Sequence, residues 1–301
     1  MVRKPYRRIS AVGVFSRVCY SRAVIGLQVC GMGSSDRINE GKFIFLGTGN
    51  PEGVPVPFCS CSACKSGVAR LRSSALILYG GKKFLIDTGP DLRQQLLRYS
   101  VSNVDGIFLT HTHYDHIGGI DEMRSKLIVF GDSVPVVASS ETIKALRESR
   151  KHFFQESASL AASFSFIPLE DSMGQGKLEG LSFSFCSYFQ NEMQVTGFRL
   201  GNLAYLTDMQ VYEDSIFSFL EGVDTLVLSA IYRELPNIMR TKRRSHLTVE
   251  ESLDFFAKSG ASRLVISHIG HVLQRNLDEY KGVAGLEFAD EGQELRFFIN
   301  E

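Results

Sequence analysis

From Lys42 onward the chain alternates short apolar runs with polar turns. Phe43-Ile-Phe-Leu46, Ala75-Leu-Ile-Leu-Tyr79 and Lys83-Phe-Leu-Ile-Asp87 read as strands, the last one following a Gly80-Gly81 turn. Residues 91–99 read as a helix, and 104–110 as a buried strand that ends in a polar turn. Gly118-Gly119 is expected to open a helix through Arg124. A strand over 134–138 and a helix over 141–149 follow. The second half repeats the style, with strands at 163–167, 181–187, 195–200, 202–207, 224–230, 262–267 and 295–299, and helices at 211–221 and 249–258. Two successive halves of strands followed by helices imply an α/β (α+β) sandwich of two mixed sheets with helices outside.

Composition leaves that reading unchanged: 301 residues, 44% hydrophobic, 22% charged and no net charge suit an ordinary globule. No run of about 18 apolar residues appears, so no membrane span is expected. The neutral total hides an asymmetry. Arg3, Lys4, Arg7, Arg8, Arg17 and Arg22 face no acid before Asp36, which leaves the remaining chain mildly acidic. Nucleic-acid binders carry a basic bias across their body, so a nucleic-acid partner is not expected.

Residues 1–40 show no periodicity and are expected to form an extension dispensable for chemistry, with the functional domain over 41–301. Three readings stay open for it: a transit peptide, an upstream start ahead of Met32, or a disordered tail. A secretory signal fits less well, since Val29 before Cys30 is larger than cleavage favours. The expected location is cytoplasmic, or an organelle if residues 1–31 are a transit peptide. A homodimer is left open.

The chemistry concentrates in His111-Thr-His113-Tyr-Asp115-His116, directly after the 104–110 strand. His111 and His113 are two apart on extended backbone, share a face and can grip one metal. Asp115 and His116 follow where the chain turns toward a helix and can aim at a second. Imidazole with carboxylate suits zinc, manganese or iron rather than calcium. Cys59-Ser-Cys61-Ser-Ala-Cys64 places three soft thiolates within one turn. With His271 as the fourth ligand they would close a structural zinc site that has no open position. The cysteine cluster also favours a reducing compartment over a disulfide scaffold.

The six-residue run resembles the His-x-His-x-Asp-His signature of the metallo-β-lactamase superfamily. That resemblance implies the αββα fold and one or two catalytic divalent metals, zinc or manganese. It also implies Asp208, at the end of Leu203-Ala-Tyr-Leu-Thr-Asp208, as a carboxylate bridging both metals. His268, ending Arg263-Leu-Val-Ile-Ser-His268, is implied as the last ligand, and Asp87 as a supporter of the ligand loops. The Phe45–Pro55 stretch, the Cys triad and His268-Ile-Gly-His271 resemble the phosphoribosyl cyclic phosphate phosphodiesterase group. A similar triad occurs in the pyrroloquinoline-quinone biosynthesis protein B group.

His246 precedes Thr248 and Glu251, which have capping-box spacing, so it should sit just before a helix. The resemblance implies that it acts as general acid or holds the phosphate. Arg243 and Arg244, in the basic run before it, are candidates for phosphate binding. The superfamily has a further histidine ahead of Gly197, and this sequence has none there. Asn191, or Gln190 one residue earlier, falls in that slot, and an amide oxygen is the weaker donor.

The expected activity is therefore a metal-dependent hydrolase acting on a small or cyclic phosphodiester through a metal-bound hydroxide. Asp115, Asp208 and His246 would be its catalytic residues. The rivals are a thioester or lactone hydrolase of the same fold, and a non-catalytic binding protein that keeps only the structural zinc.

Overall fold

A computed structural model describes residues 38–154, 163–232 and 245–300. The first half supplies β1 (Ile38–Gly47), β2 (Ser74–Tyr79), β3 (Lys82–Ile86), β4 (Gly106–Phe108), β5 (Val134–Ser139) and β6 (Phe164–Leu169). The second supplies β7 (Met173–Leu178), β8 (Leu181–Gln190), β9 (Met193–Leu200), β10 (Leu203–Leu206), β11 (Thr225–Ser229), β12 (Arg263–Ser267), β13 (Leu286–Phe288) and β14 (Glu294–Asn300). Among them run helices α1 (Ser62–Lys65), α2 (Leu92–Arg98), α3 (Tyr114–Ile117), α4 (Arg124–Phe130) and α5 (Ser140–Ser149). Then come α6 (Lys151–Phe154), α7 (Ser215–Phe219), α8 (Val249–Ser259) and α9 (His271–Gln274).

The strands form two seven-stranded sheets, ordered β14-β1-β2-β3-β4-β5-β6 and β13-β12-β11-β10-β9-β8-β7. Both are mixed: β3 to β6 run parallel, as do β10 to β13, while the remaining neighbours are antiparallel. Strand periodicity explains why the sheets stack. Phe43 and Phe45 of β1 point into the layer between the sheets, with Phe84, Phe108, Phe183, Phe198, Tyr205 and Val265. Ile44 and Leu46 point outward and pack with Leu92 of α2 and Ile143 of α5. On the other sheet, Leu206, Leu228 and Ile266 face outward against Ile216 of α7 and Phe255 of α8. The expected αββα sandwich results. Phe108 anchors its middle, edge-on to Phe183 and Phe198 at 5.0 and 5.1 Å. Burying one such ring stabilises the fold by roughly 1.5–3 kcal/mol.

Several elements differ from the sequence reading. No element is expected over Met173–Leu178, yet it forms β7, with Gly174 and Gly176 inside the strand. Each lies opposite a phenylalanine, Phe185 and Phe183, and a Cβ there would come within 2.8 and 2.5 Å of the ring, which would have to shift. The strand expected over 104–110 pairs only from Gly106 to Phe108, and the helix expected from Gly118-Gly119 through Arg124 is a 3₁₀ turn over Ile120–Met123, with α4 following only from Arg124. β1 begins at Ile38, within the segment expected to be an extension, because it pairs with β14 as far as Ile38↔Asn300. The helix expected over 211–221 is shortened to α7. Among the described residues no helix is long and apolar enough to cross a membrane.

Candidate metal centre

Parallel strands of both sheets end on one side of the sandwich, and each end delivers a polar group. β3 ends before Asp87, β4 before Thr110 and His111, β10 before Asp208, and β12 before His268. Ligand sites of parallel sheets form at such carboxyl ends. Asp87, Asp208 and His268 all turn out of their strands with positive φ, at 61°, 54° and 62°. Left-handed backbone is uncommon for residues other than glycine and is concentrated at functional sites.

Asp115 Oδ2, His116 Nε2, Asp208 Oδ1 and His268 Nε2 surround one point. His116 Nε2 lies 3.2 Å from Asp115 Oδ2, 3.4 Å from Asp208 Oδ1 and 3.3 Å from His268 Nε2. His268 Nε2 lies 3.3 Å from each of the two carboxylate oxygens. A tetrahedron with ligand bonds of about 2.0–2.1 Å has edges of about 3.3–3.4 Å, so these four donors fit a divalent metal such as zinc. A second cluster joins His111, His113 and Asp208. There His111 Nε2 lies 3.1 Å from His113 Nδ1 and 3.7 Å from Asp208 Oδ2. Asp208 thus turns one oxygen to each cluster.

Charge agrees with that use. Burial opposes ionisation of Asp208, but His268, His116 and His246 outweigh it and hold the carboxyl well below its usual 3.8. Burial opposes it at Asp115 too, and His116 and His268 again prevail. His111 and His113 are pushed down chiefly by burial, which keeps them neutral with a lone pair to give. At His116 burial is outweighed by Asp115, Asp208 and Asp87, which favour its protonated form. A bound cation would answer the same carboxylates.

Hydrogen bonds aim these side chains. His116 Nδ1 donates to Asp87 Oδ2 at 2.7 Å, which leaves Nε2 free for the centre. Thr110 Oγ1 donates to the same Asp87 oxygen and accepts from His111 Nδ1, both at 2.9 Å. Asp87 Oδ1 takes the Thr110 backbone N–H. Asp87 thus sets the tautomer of His116 directly and of His111 through Thr110. The Asp208 backbone N–H donates to Ser229 Oγ at 2.7 Å, and Thr207 Oγ1 donates to Asp208 Oδ1 at 2.6 Å. Thr110, Thr207 and Ser229 were not singled out in the sequence; their only signal is a hydroxyl at the end of an apolar strand. Gly89 is required where it stands, since a Cβ there would lie 2.2 Å from the Asp115 carbonyl.

Cys59, Cys61 and Cys64 meet His271 as a separate group. Their sulfurs lie 3.3, 3.5 and 3.6 Å from His271 Nδ1. Tetrahedral zinc with Zn–S near 2.3 Å and Zn–N near 2.0 Å requires a separation of about 3.5 Å, so this group fits zinc too. A hydrogen bond from the Cys64 backbone, helped by the neighbouring Cys59, Cys64 and His271 side chains, lowers the Cys61 thiol to about 6 against some opposition from burial. Thiolate is the ligating form.

His246 is buried just ahead of α8, whose N-terminus carries the expected capping box of Thr248 and Glu251. Its ring lies 5.1 Å from that of His268. Asn191 does not enter the site: it is exposed on the turn after β8 at a φ of 54°. The buried amide is that of Gln190, the last residue of β8. A carboxylate only accepts, so the Gln190 atom 3.2 Å from Asp208 Oδ2 is its NH₂ nitrogen. The same nitrogen is 3.0 Å from His246 Nε2, which therefore accepts. Burial brings His246 down to about 4, although Asp208 pulls the other way, so at neutral pH its one proton sits on Nδ1. That atom is buried and meets no hydrogen-bond partner. Arg243 and Arg244 lie outside the described residues.

An αββα sandwich with imidazoles and carboxylates gathered at its strand ends defines the metallo-β-lactamase class. Residues 82–269 match the family described as the Beta-lactamase superfamily domain. The chain belongs to that superfamily and carries its metal-dependent hydrolase domain. It is similar to a structure described as a new diphosphatase from the PhnP family, with 30% identity and a TM-score of 0.77, covering 88% of this chain and all of the other. Zinc-bound PqqB from Methylobacterium extorquens shares the fold at 21% identity and a TM-score of 0.67, over 84% of this chain and 99% of that one. An octanoyltransferase of Porphyromonas gingivalis is 27% identical over 76% of the chain. The chain spans 46% of that relative, and so less than half its length.

Proposed function

We propose that the chain hydrolyses a small or cyclic phosphate diester at this centre. His111, His113, Asp115, His116, Asp208 and His268 would hold the catalytic metals, and Cys59, Cys61, Cys64 and His271 a structural zinc. When bound, the catalytic metals supply an acidified water and positive charge for the phosphoryl oxygens.

The rest falls to the protein. Asp208, with one oxygen toward each cluster, ties the two positions together. Asp87 and Thr110 hold His116 and His111 with Nε2 inward. His246 carries the reading: it is a buried imidazole that neither ligand cluster requires, and its Nδ1–H is without a partner beside Asp208. A phosphoryl group brings more oxygens to be held than a carbonyl does, and a preset donor suits one of them or the leaving oxygen. The likeness to a PhnP-family diphosphatase supports a phosphorus substrate.

The test is a substrate panel on the full chain with zinc or manganese. It compares bis-p-nitrophenyl phosphate and cyclic nucleotides with an octanoyl thioester and a lactone. Metal-dependent cleavage of the diesters, abolished by chelation, is expected. Preference for the thioester would transfer the site to acyl chemistry, which the octanoyltransferase relative makes the relevant rival.

A further inference from the structure

We infer that the two metal positions load unequally: the Asp115/His116/Asp208/His268 position binds tightly, and Gln190 weakens the His111/His113 position. This rests on the reading of the centre as a metal site, not on the substrate class.

The tight position has four protein donors whose measured separations, 3.2–3.4 Å, all match one tetrahedron. The other has three donors, and its two imidazole-centred edges are uneven at 3.1 and 3.7 Å. The buried side chain next to it is Gln190, and it presents the wrong end. Its NH₂ group points at Asp208 Oδ2, the same oxygen that faces His111. A donor on that oxygen occupies a lone pair the metal would use and sets partial positive charge beside it. Rotating the amide to offer Oε1 would bring a carbonyl against the Asp208 carboxylate. It would also remove the donor that His246 Nε2 accepts. Gln190 therefore either positions His246 or ligates a metal, and the geometry points to the first. Its Oε1 is buried without a partner, as expected for an amide held by its nitrogen alone. Losses even outside the ligand shell weaken metal sites by about 10–100-fold, so a missing ligand should separate the two affinities by at least about tenfold.

Manganese tests this, because a hard ion avoids the cysteine site and counts only the imidazole–carboxylate centre. The full chain with its zinc in place is titrated with Mn²⁺. Binding is followed by equilibrium dialysis and by electron paramagnetic resonance. One manganese should bind first with the spectrum of an isolated ion, and a second at least about tenfold more weakly. His111→Ala should spare the first ion and His268→Ala should remove it. Gln190→His and Gln190→Glu, which supply a ligand, should narrow the gap and produce a spin-coupled pair spectrum at lower manganese. Two equal affinities in the unaltered chain, with a coupled spectrum from the first addition, would overturn the inference while leaving the metal centre standing. Loss of the first ion in His111→Ala but not in His268→Ala would also overturn it. No manganese binding at all would remove both the inference and the metal-centre reading beneath it.

Discussion

His116 Nε2 and His268 Nε2 lie 3.3 Å apart although 152 positions separate them in the chain. Both are fully buried, and with His116 Nδ1 committed to Asp87, its Nε2 faces a second nitrogen and two carboxylate oxygens. Only a proton or a cation relieves such a meeting. His268→Ala should therefore lower metal content by one ion per chain and diesterase activity by about 100-fold or more, as expected when metal-based charge stabilisation is lost. Inductively coupled plasma analysis and rate measurements on the same samples check this. A variant that keeps its metal would refute the assignment of this ligand.

Asp87 belongs to neither donor cluster, yet His116 and His111 both depend on it. Asp87→Asn replaces an acceptor with a donor opposite either His116 Nδ1 or the Thr110 backbone N–H. Metal affinity should fall about 10–100-fold, and activity should recover at high metal concentration. Asp87→Ala leaves those buried donors unpaired and should also destabilise the fold by about 1–3 kcal/mol per group. Denaturant titration separates the two effects.

The cysteine site lies next to the His268 turn in the chain and in space. The Ile269 backbone N–H donates to the Thr48 carbonyl at 2.7 Å, stitching that turn to the loop that leads to Cys59. Cys64→Ser should release one zinc and lower the thermal midpoint by roughly 5 °C or more, given what structural zinc contributes to folding. Manganese binding at the other centre should persist. Zinc content and calorimetry measure the first two outcomes, and dialysis the third.

His246 serves substrate rather than metal in this reading. His246→Ala should keep full metal content while kcat falls about 10²-fold or more, the range for a lost general acid or charge-stabilising donor. Loss of metal in step with activity would make His246 a ligand instead. The leaving-group dependence of the rate distinguishes the two ways it acts on substrate. A deficit that shrinks for p-nitrophenolate and grows for poor leaving groups marks the general acid.

How much of this was readable without coordinates depended on locality. Four donors within His111–His116 share a short segment, so spacing alone divides them into a His111/His113 pair and an Asp115/His116 pair. The continuous apolar run Phe43–Leu46 marked β1 as a strand, while the two faces it buries are set by the sheets around it. Gln190 and Asn191 were harder, because one residue of register moves a strand side chain to the opposite face. β8 ends at Gln190, and the left-handed turn that follows carries Asn191 away. β7 was hidden because the apolar partners of its glycines are rings on the neighbouring strand.

The sequence by itself determined the layered αββα architecture, the six-residue donor run and the thiolate triad, because each rests on period or spacing along a few residues. Only the tertiary structure decided that Asp208 divides its oxygens between two clusters, and that Thr110 and Asp87 set the histidine tautomers. It also decided that the Gln190 amide turns its nitrogen to the site. Those facts are distances of about 3 Å between groups far apart in the chain. No local pattern encodes them, since they follow from how two sheets align their strand ends.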